Sequence, residues 1–289
     1  LRLLNFINQS FGSALIATED FLSIHEITET EINDFLADCK RLELVESGNV
    51  ARSRLIDKWL AIGQEDTIEE AELGAKVWMI GVVGNDSTKT KLVNEIRKRN
   101  VNADYLVQDD EKRTILKVRV FGRNQQLLRF DYEKKGYVDA DTENRIFGFI
   151  EKNISNADAI IVSDYAKGTI TKTLMEKLIP LCNGKNKIIV VDPKPKHKEF
   201  YKNTTLITPN HKEAQEMANI AEDAEDADIE VTGKKLLEEM NSTILITRGE
   251  KGMSLFEKNG KITNIPTFAK EVYDIVGAGD TSVATVALA

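Results

Sequence analysis

From about Leu73 onward, short apolar runs alternate with segments whose apolar residues recur at helical spacing. Val77-Trp78-Met79-Ile80-Gly81-Val82-Val83 reads as a buried strand. Lys89 to Arg99 follows, with Leu92, Val93 and Ile96 on one helical face. Thr114 to Phe130 alternates with period two around Ile115, Lys117, Arg119 and Phe121, which predicts a half-exposed sheet. A helix is expected around Thr142 to Ile154, with Ile146, Phe147 and Ile150 on one face. Ala159 to Val162, Lys187 to Asp192, Leu206 to Thr208 and Ile244 to Thr247 read as further strands. Leu174 to Leu181 is helical, and helical stretches separate the later strands. Such alternation needs crossover connections, so the fold class is α/β with a mostly parallel central sheet. In such a sheet ligands lie outside the carboxyl ends of the strands. Polar residues just after each strand are therefore the candidates for chemistry.

The first 72 residues are less regular. Phe6 to Thr18 accommodates a helix and then a strand, Ala14-Leu15-Ile16-Ala17. Thr28 to Leu44 reads as a helix with a capping-box start at Thr28 and Glu31. Residues 1–72 are taken as an atypical N-terminal segment of the same domain as residues 73–289. The acidic stretch Ala221 to Asp228 reads as a solvated loop. There is no internal repeat.

Composition narrows the function classes. The chain has 289 residues, 42% hydrophobic and 30% charged, enough for one large α/β domain or two smaller ones. A formal net charge of -8 argues against a nucleic-acid or anionic-membrane binder, because phosphate backbones select basic faces. A small anionic substrate needs only a local group of donors. No apolar run approaches the ~20 residues of a membrane span. Leu1-Arg2-Leu3-Leu4-Asn5 does not read as a signal peptide. Cys39 and Cys182 lack metal spacing and read as reduced thiols of a cytoplasmic protein. His25, His197 and His211 show no metal spacing either, and His211 is expected to face solvent.

The strongest chemical signal is Asp274-Ile275-Val276-Gly277-Ala278-Gly279-Asp280-Thr281, followed by a helix-like Ser282 to Ala289. Gly277, Ala278 and Gly279 are small enough for consecutive backbone N–H groups to approach an anion. The following helix adds the positive end of its dipole. Asp280 at its start can take a proton from a hydroxyl while the amides hold a phosphoryl group in transfer. An Asp-capped glycine turn accounts for the same residues in isolation.

Four other strand ends favour the phosphate reading jointly. In Thr208-Pro209-Asn210-His211-Lys212-Glu213, Asn210 and Glu213 can share a first helical turn and organise Mg²⁺ through water. A plain capped helix start is the other reading. In Thr247-Arg248-Gly249-Glu250-Lys251-Gly252, the glycines allow a tight turn whose amides meet a nucleotide phosphate, or a simple hairpin. Ser163-Asp164-Tyr165-Ala166-Lys167-Gly168 and Asp192-Pro193-Lys194 offer Lys167 and Lys194 as phosphate contacts.

With these motifs in this order, the chain from about Leu73 to its end resembles the ribokinase/PfkB carbohydrate kinases. Asp274 to Asp280 resembles the family signature, Asn210 to Glu213 its N-x-x-E motif, and Thr247 to Gly252 its T-x-G-x-x-G motif. Within the family, Arg113 to Glu133, with Arg123-Asn124-Gln125-Gln126-Leu127-Leu128-Arg129 at its centre, resembles the D-glycero-β-D-manno-heptose 7-phosphate kinases. So does Ser163-Asp164-Tyr165 with Lys167-Gly168. Those kinases act in ADP-heptose synthesis for the lipopolysaccharide core, often as the first domain of a bifunctional protein.

The resemblance implies a ribokinase-like three-layer sandwich with a small β-sheet lid, formed by strands near 113–133. It implies ATP- and Mg²⁺-dependent phosphorylation of the anomeric hydroxyl. Asp280 would be the base, with Gly277, Ala278 and Gly279 at the phosphoryl group. Asn210, Glu213, Thr247, Gly249, Gly252 and Lys194 would serve the nucleotide, and Glu213 would hold Mg²⁺ through water. The sugar phosphate would meet Lys117, Arg123, Asn124, Gln125, Gln126, Arg129, Asp164 and Lys167. Cations and amides suit a sugar that already carries a phosphate, although alternation prevents all of them from pointing the same way. A homodimer through the lid sheet is a further expectation.

Two departures from the family pattern are visible. A Gly-Gly pair before Leu73-Gly74-Ala75 is absent. Leu55-Ile56-Asp57-Lys58-Trp59 faintly resembles the end of the first sugar motif, so Asp57 is a candidate for sugar hydroxyls, in competition with Gly48-Asn49-Val50-Ala51. The chain also stops at Ala289, inside the helix that Asp280 begins, and reads as truncated there. These departures keep two other functions in view: a kinase-like nucleotide-binding protein without turnover, and a family kinase for another sugar or nucleoside.

Overall fold

The structure is a computed structural model, and it describes residues 76–99, 101–122, 125–220 and 228–267. Ten strands and five α-helices lie in this range. They are β1 (Trp78–Val83), α1 (Ser87–Lys98), β2 (Asn102–Gln108), β3 (Leu116–Gly122), β4 (Gln125–Tyr132), α2 (Ala140–Asn153), β5 (Ala159–Ser163), α3 (Lys172–Gly184), β6 (Ile188–Asp192), β7 (Leu206–Ile207), α4 (His211–Ala218), α5 (Asp228–Met240), β8 (Thr243–Thr247), β9 (Met253–Phe256) and β10 (Ile262–Ile265). The helices and strands expected within residues 1–72 lie outside the described residues, as does most of the acidic stretch after Ala221.

The chain divides into two compact units, residues 1–59 with 116–132, and residues 60–115 with 133–289. In the first, the described part is the antiparallel β3–β4 hairpin. Val118 lies opposite Phe130 and Lys117 opposite Asp131, with a register shift after Val120. Val118 and Phe130 are buried, which matches the period-two pattern that predicts a half-exposed sheet.

In the second unit, one sheet has the order β10-β9-β8-β7-β6-β5. Pairings from β5 through β8 are parallel, and β8–β9 and β9–β10 are antiparallel. One face of this sheet contributes Ile189, Val191, Ile207, Ile244 and Ile246 to the main core. Ile146 and Ile150 of α2, Leu174 and Leu178 of α3, Met217 of α4 and Leu236 of α5 pack there. Val190, Leu206 and Leu245 are buried on the opposite face. Burial on both faces explains why these strands read as continuous apolar runs. Cys182 is a free thiol buried in the main core.

Parallel β1 and β2 pair with each other and pack with α1 through Met79, Val83, Leu92, Ile96 and Ala103. Helix α1 starts at Ser87, earlier than its apolar spacing suggests, because Asp86 caps it by accepting from Lys89 N at 2.9 Å. The other Asp86 oxygen accepts from Thr114 N at 2.8 Å, and Thr114 Oγ1 accepts from Gly84 N at 3.0 Å. Thr114 is thereby held by the β1–α1 loop, and β3 begins only at Leu116.

Candidate active site

The carboxyl ends of β5, β6, β7 and β8 lie side by side. Ser163 at the end of β5 pairs with Asp192 at the end of β6. Thr208 continues beyond β7 and donates its N–H to Val191 O at 2.9 Å. Pro209 has no N–H to extend the ladder, but its carbonyl accepts from Thr247 N at 3.1 Å. Asn210 and Thr247 therefore meet in an isolated parallel bridge. This joins the N-terminus of α4 to the end of β8.

Asn210 is the N-cap of α4. Its side chain accepts from Glu213 N at 3.0 Å, and Glu213 Oε2 accepts from Asn210 N at 3.1 Å. This is a complete capping box. The other Glu213 oxygen accepts from Lys194 Nζ, and the pair is partly buried. Burial works against the charge on Lys194. The hydrogen bond to Glu213 and the carboxylates of Glu213, Asp192 and Asp164 outweigh it and hold the ammonium pKa above the ordinary lysine value. Two expected nucleotide residues, Lys194 and Glu213, are thus in direct contact.

Asp164 is buried, and both its oxygens are engaged by the protein. Oδ1 accepts from Ala166 N at 2.6 Å. Oδ2 accepts from Tyr201 Oη at 2.6 Å and lies 2.6 Å from His197 Nδ1. A carboxylate only accepts, so His197 Nδ1 is the donor. The far nitrogen, Nε2, is 2.9 Å from Tyr137 Oη, and the imidazole stacks on Phe200 at 4.6 Å between centroids. Burial, and then the adjacent Asp164 charge, push the Tyr201 phenol far above the ordinary tyrosine value, which keeps it a donor. Lys167 pairs with Glu133, and Val138 N donates to Gly168 O at 3.0 Å, fastening the loop after β5 to the segment after β4.

The Thr247 to Gly252 motif forms the β8–β9 hairpin turn. Arg248 N donates to Gly252 O at 2.8 Å around a single 3₁₀ turn at Gly249–Lys251. Gly252 has φ of +81°, and a Cβ there would lie 2.0 Å from Ile265 O. The position requires glycine on both counts.

On β4, Arg129 grips Asp131 through two guanidinium nitrogens, Nε at 2.7 Å. The register places Lys117 directly opposite Asp131. Gln125 and Gln126 are on the β4 backbone. Arg123, Asn124, Asp57, Gly277, Ala278, Gly279 and Asp280 lie outside the described residues.

His197, Tyr201 and Tyr137 escape a reading of the sequence. His197 has no metal spacing, and its role depends on a carboxylate 33 residues away. The available signal was a histidine and a tyrosine placed shortly after a strand-end Asp-Pro-Lys. His211 is only partly exposed, and its Nε2 is buried with no hydrogen-bond partner among the described residues, contrary to the expected solvent-facing position.

The family of pfkB carbohydrate kinases matches residues 70–289. The chain belongs to that family. Among curated proteins, this pfkB-family chain is 39% identical over 218 residues to the bifunctional protein HldE of Geobacter metallireducens, covering 75% of the chain and 44% of that protein. It is 37% identical over 217 residues to the bifunctional protein HldE of Helicobacter pylori, covering 75% and 46%. The chain thus spans less than half the length of these curated relatives. Among solved structures, phosphofructokinase-2 from Escherichia coli in complex with potassium superposes with a TM-score of 0.63 at 18% identity, over 78% of this chain and 73% of that one. Arabidopsis thaliana ribokinase complexed with ribose and ATP gives 0.62 at 16% identity, over 78% and 72%. These likenesses show a ribokinase-like fold, as the motif order implies.

Proposed function

We propose that the chain is an ATP-dependent kinase that phosphorylates the anomeric hydroxyl of D-glycero-β-D-manno-heptose 7-phosphate, giving the 1,7-bisphosphate. The observation that carries this reading is the Lys194–Glu213 contact at the carboxyl ends of β6 and β7. It sets a cation beside a helix N-terminus at the edge of a parallel sheet, where nucleotide phosphates bind. Residues 73–289 form the kinase core in this reading, and the Arg123 to Arg129 run supports a sugar that already bears a phosphate.

Among the described residues no group of three or more His, Cys, Asp or Glu side chains could enclose a metal ion. A single carboxylate suits Mg²⁺ that keeps most of its waters and arrives with nucleotide phosphates. Glu213 fits that role, and when bound the metal supplies charge neutralisation at the phosphates. Lys194 exchanges its carboxylate partner for a phosphate oxygen. Asp280 takes the proton of the anomeric hydroxyl. The hydroxyl oxygen bonds to the γ-phosphorus as the bond to the β–γ bridging oxygen breaks and ADP leaves. The amides of Gly277 to Gly279 hold the transferring group. Positioning and electrostatics dominate such catalysis. A cytoplasmic location belongs to the same reading, since ATP and a sugar phosphate are its substrates.

The test is ADP release by the full chain with ATP·Mg²⁺ and the heptose 7-phosphate. Asp280→Asn is expected to lower kcat by about a hundredfold or more, the scale of a lost general base. Preference for an unphosphorylated sugar, or full activity in Asp280→Asn, would overturn the assignment.

A further inference from the structure

We propose that Asp164 is a positioning residue for Lys194, acting through Tyr201 and His197. This rests on the reading that Lys194 meets a nucleotide phosphate, and it goes beyond the assignment of Asp164 to the sugar.

The connections are direct, and the two that end on Asp164 are buried. Lys194 N donates to Tyr201 Oη at 3.2 Å, and Tyr201 Oη donates to Asp164 at 2.6 Å. Lys194 O accepts from His197 N at 2.8 Å, and His197 Nδ1 donates to the same Asp164 oxygen. Both ends of the Lys194 backbone are therefore fixed by residues that converge on one carboxylate. Asp164, His197 and Tyr201 are each 1% exposed or less. Lysine is long and flexible, and its aim depends on where its Cα is held.

A structural role alone accounts poorly for this choice of residues. A buried carboxylate loses its hydration, and well-packed apolar side chains of similar volume usually stabilise a fold as well or better. The hub also reaches a second element. His197 Nε2 meets Tyr137, in the segment whose Glu133 pairs with Lys167. Asp164 itself is sealed from solvent and its two oxygens already have protein partners, so it holds the loop and turn in place while Lys194 makes the contact.

The experiment uses the full chain and reads ATP·Mg²⁺ affinity by titration calorimetry, beside KM for ATP and for the sugar phosphate. Lys194→Ala is expected to weaken nucleotide binding by about tenfold, and Tyr201→Phe by about fivefold, within the range of contacting residues in one network. KM for ATP should rise in Tyr201→Phe while KM for the sugar phosphate stays within about twofold of the parent, a split that general loosening of the fold does not produce. In the double variant Lys194→Ala with Tyr201→Phe, binding should stay within about twofold of Lys194→Ala alone, because the tyrosine acts through the lysine. His197→Asn, which leaves the Tyr201–Asp164 bond, tests the same link should Tyr201→Phe not fold. Parent-like binding in Tyr201→Phe and His197→Asn beside a weakened Lys194→Ala would overturn the proposal, as would penalties that multiply in the double variant. Parent-like binding in Lys194→Ala itself would remove the phosphate role of that lysine and this proposal with it. Calorimetry reads the binding outcomes without the sugar, so a wrong sugar assignment, which would show only in the KM measurements, is a separate outcome.

Discussion

Lys194 and Glu213 form an ion pair that ties the end of β6 to the first turn of α4. The same Glu213 closes the capping box with Asn210. One carboxylate thus serves both helix stability and the charge balance of the site, and the two roles separate by substitution. Glu213→Gln keeps a side chain able to accept from Asn210 N, so the box survives. Its melting temperature should stay within a few degrees of the parent, since a whole cap is worth about 1 kcal/mol. ADP release should nevertheless fall by about tenfold or more, the scale of a lost charge-assisted contact. Thermal melts and steady-state kinetics on one preparation check this.

Gly252 and Gly249 stand in one turn but should respond differently to alanine. At Gly252 a Cβ would lie 2.0 Å from a backbone carbonyl oxygen. Gly252→Ala should destabilise by about 2 kcal/mol or more, by chemical denaturation, because the β10 end must shift. At Gly249, with φ of +58°, the space is open. Gly249→Ala should cost only about 1 kcal/mol from backbone conformation.

Thr114 accepts from Gly84 N through a buried hydroxyl. Thr114→Val keeps the shape but leaves that N–H without its acceptor. A loss of about 1–3 kcal/mol in unfolding free energy is expected. Thr114→Ser, which restores the acceptor, should recover most of it.

Burial pushes the Cys182 thiol up from 9.0 to about 11. The folded chain keeps its proton after the unfolded thiol has ionised, so raising the pH favours unfolding. This contribution is fully present below pH 9.0 and is lost between there and about 11. Removing Cys182 as Cys182→Ala should flatten stability against pH across that window by about 1.4 kcal/mol per pH unit at most. In the native chain Cys182 should resist alkylation at pH 8 and react after unfolding.

The alternation of apolar runs and helical spacing marked β1, the β3–β4 sheet and β5 to β8, because strands buried on both faces must be continuously apolar; β2, β9 and β10 were not among the expected strands. Ile189, Val190 and Val191 show it: neighbours in sequence, they enter cores on opposite faces. Boundaries were legible where a cap was a local matter, as in the Asn210–Glu213 box. The start of β3 was not, since Thr114 is held by Gly84 and Asp86, about thirty residues earlier.

The site divides the same way. Strand-end position and residue type single out Lys194, Glu213 and Asn210 from the sequence alone, because parallel sheets place ligands at one edge, and the family resemblance adds Asp164. Whether Lys194 reaches Glu213, and whether Asp164 faces a ligand or the interior, depends on how separate crossovers pack. Only the tertiary structure brings Asp164, His197 and Tyr201 into one buried cluster, with the half-exposed Tyr137 at its rim. No periodicity records that meeting, since hydrogen bonds between distant side chains are set by three-dimensional packing and leave no spacing along the chain.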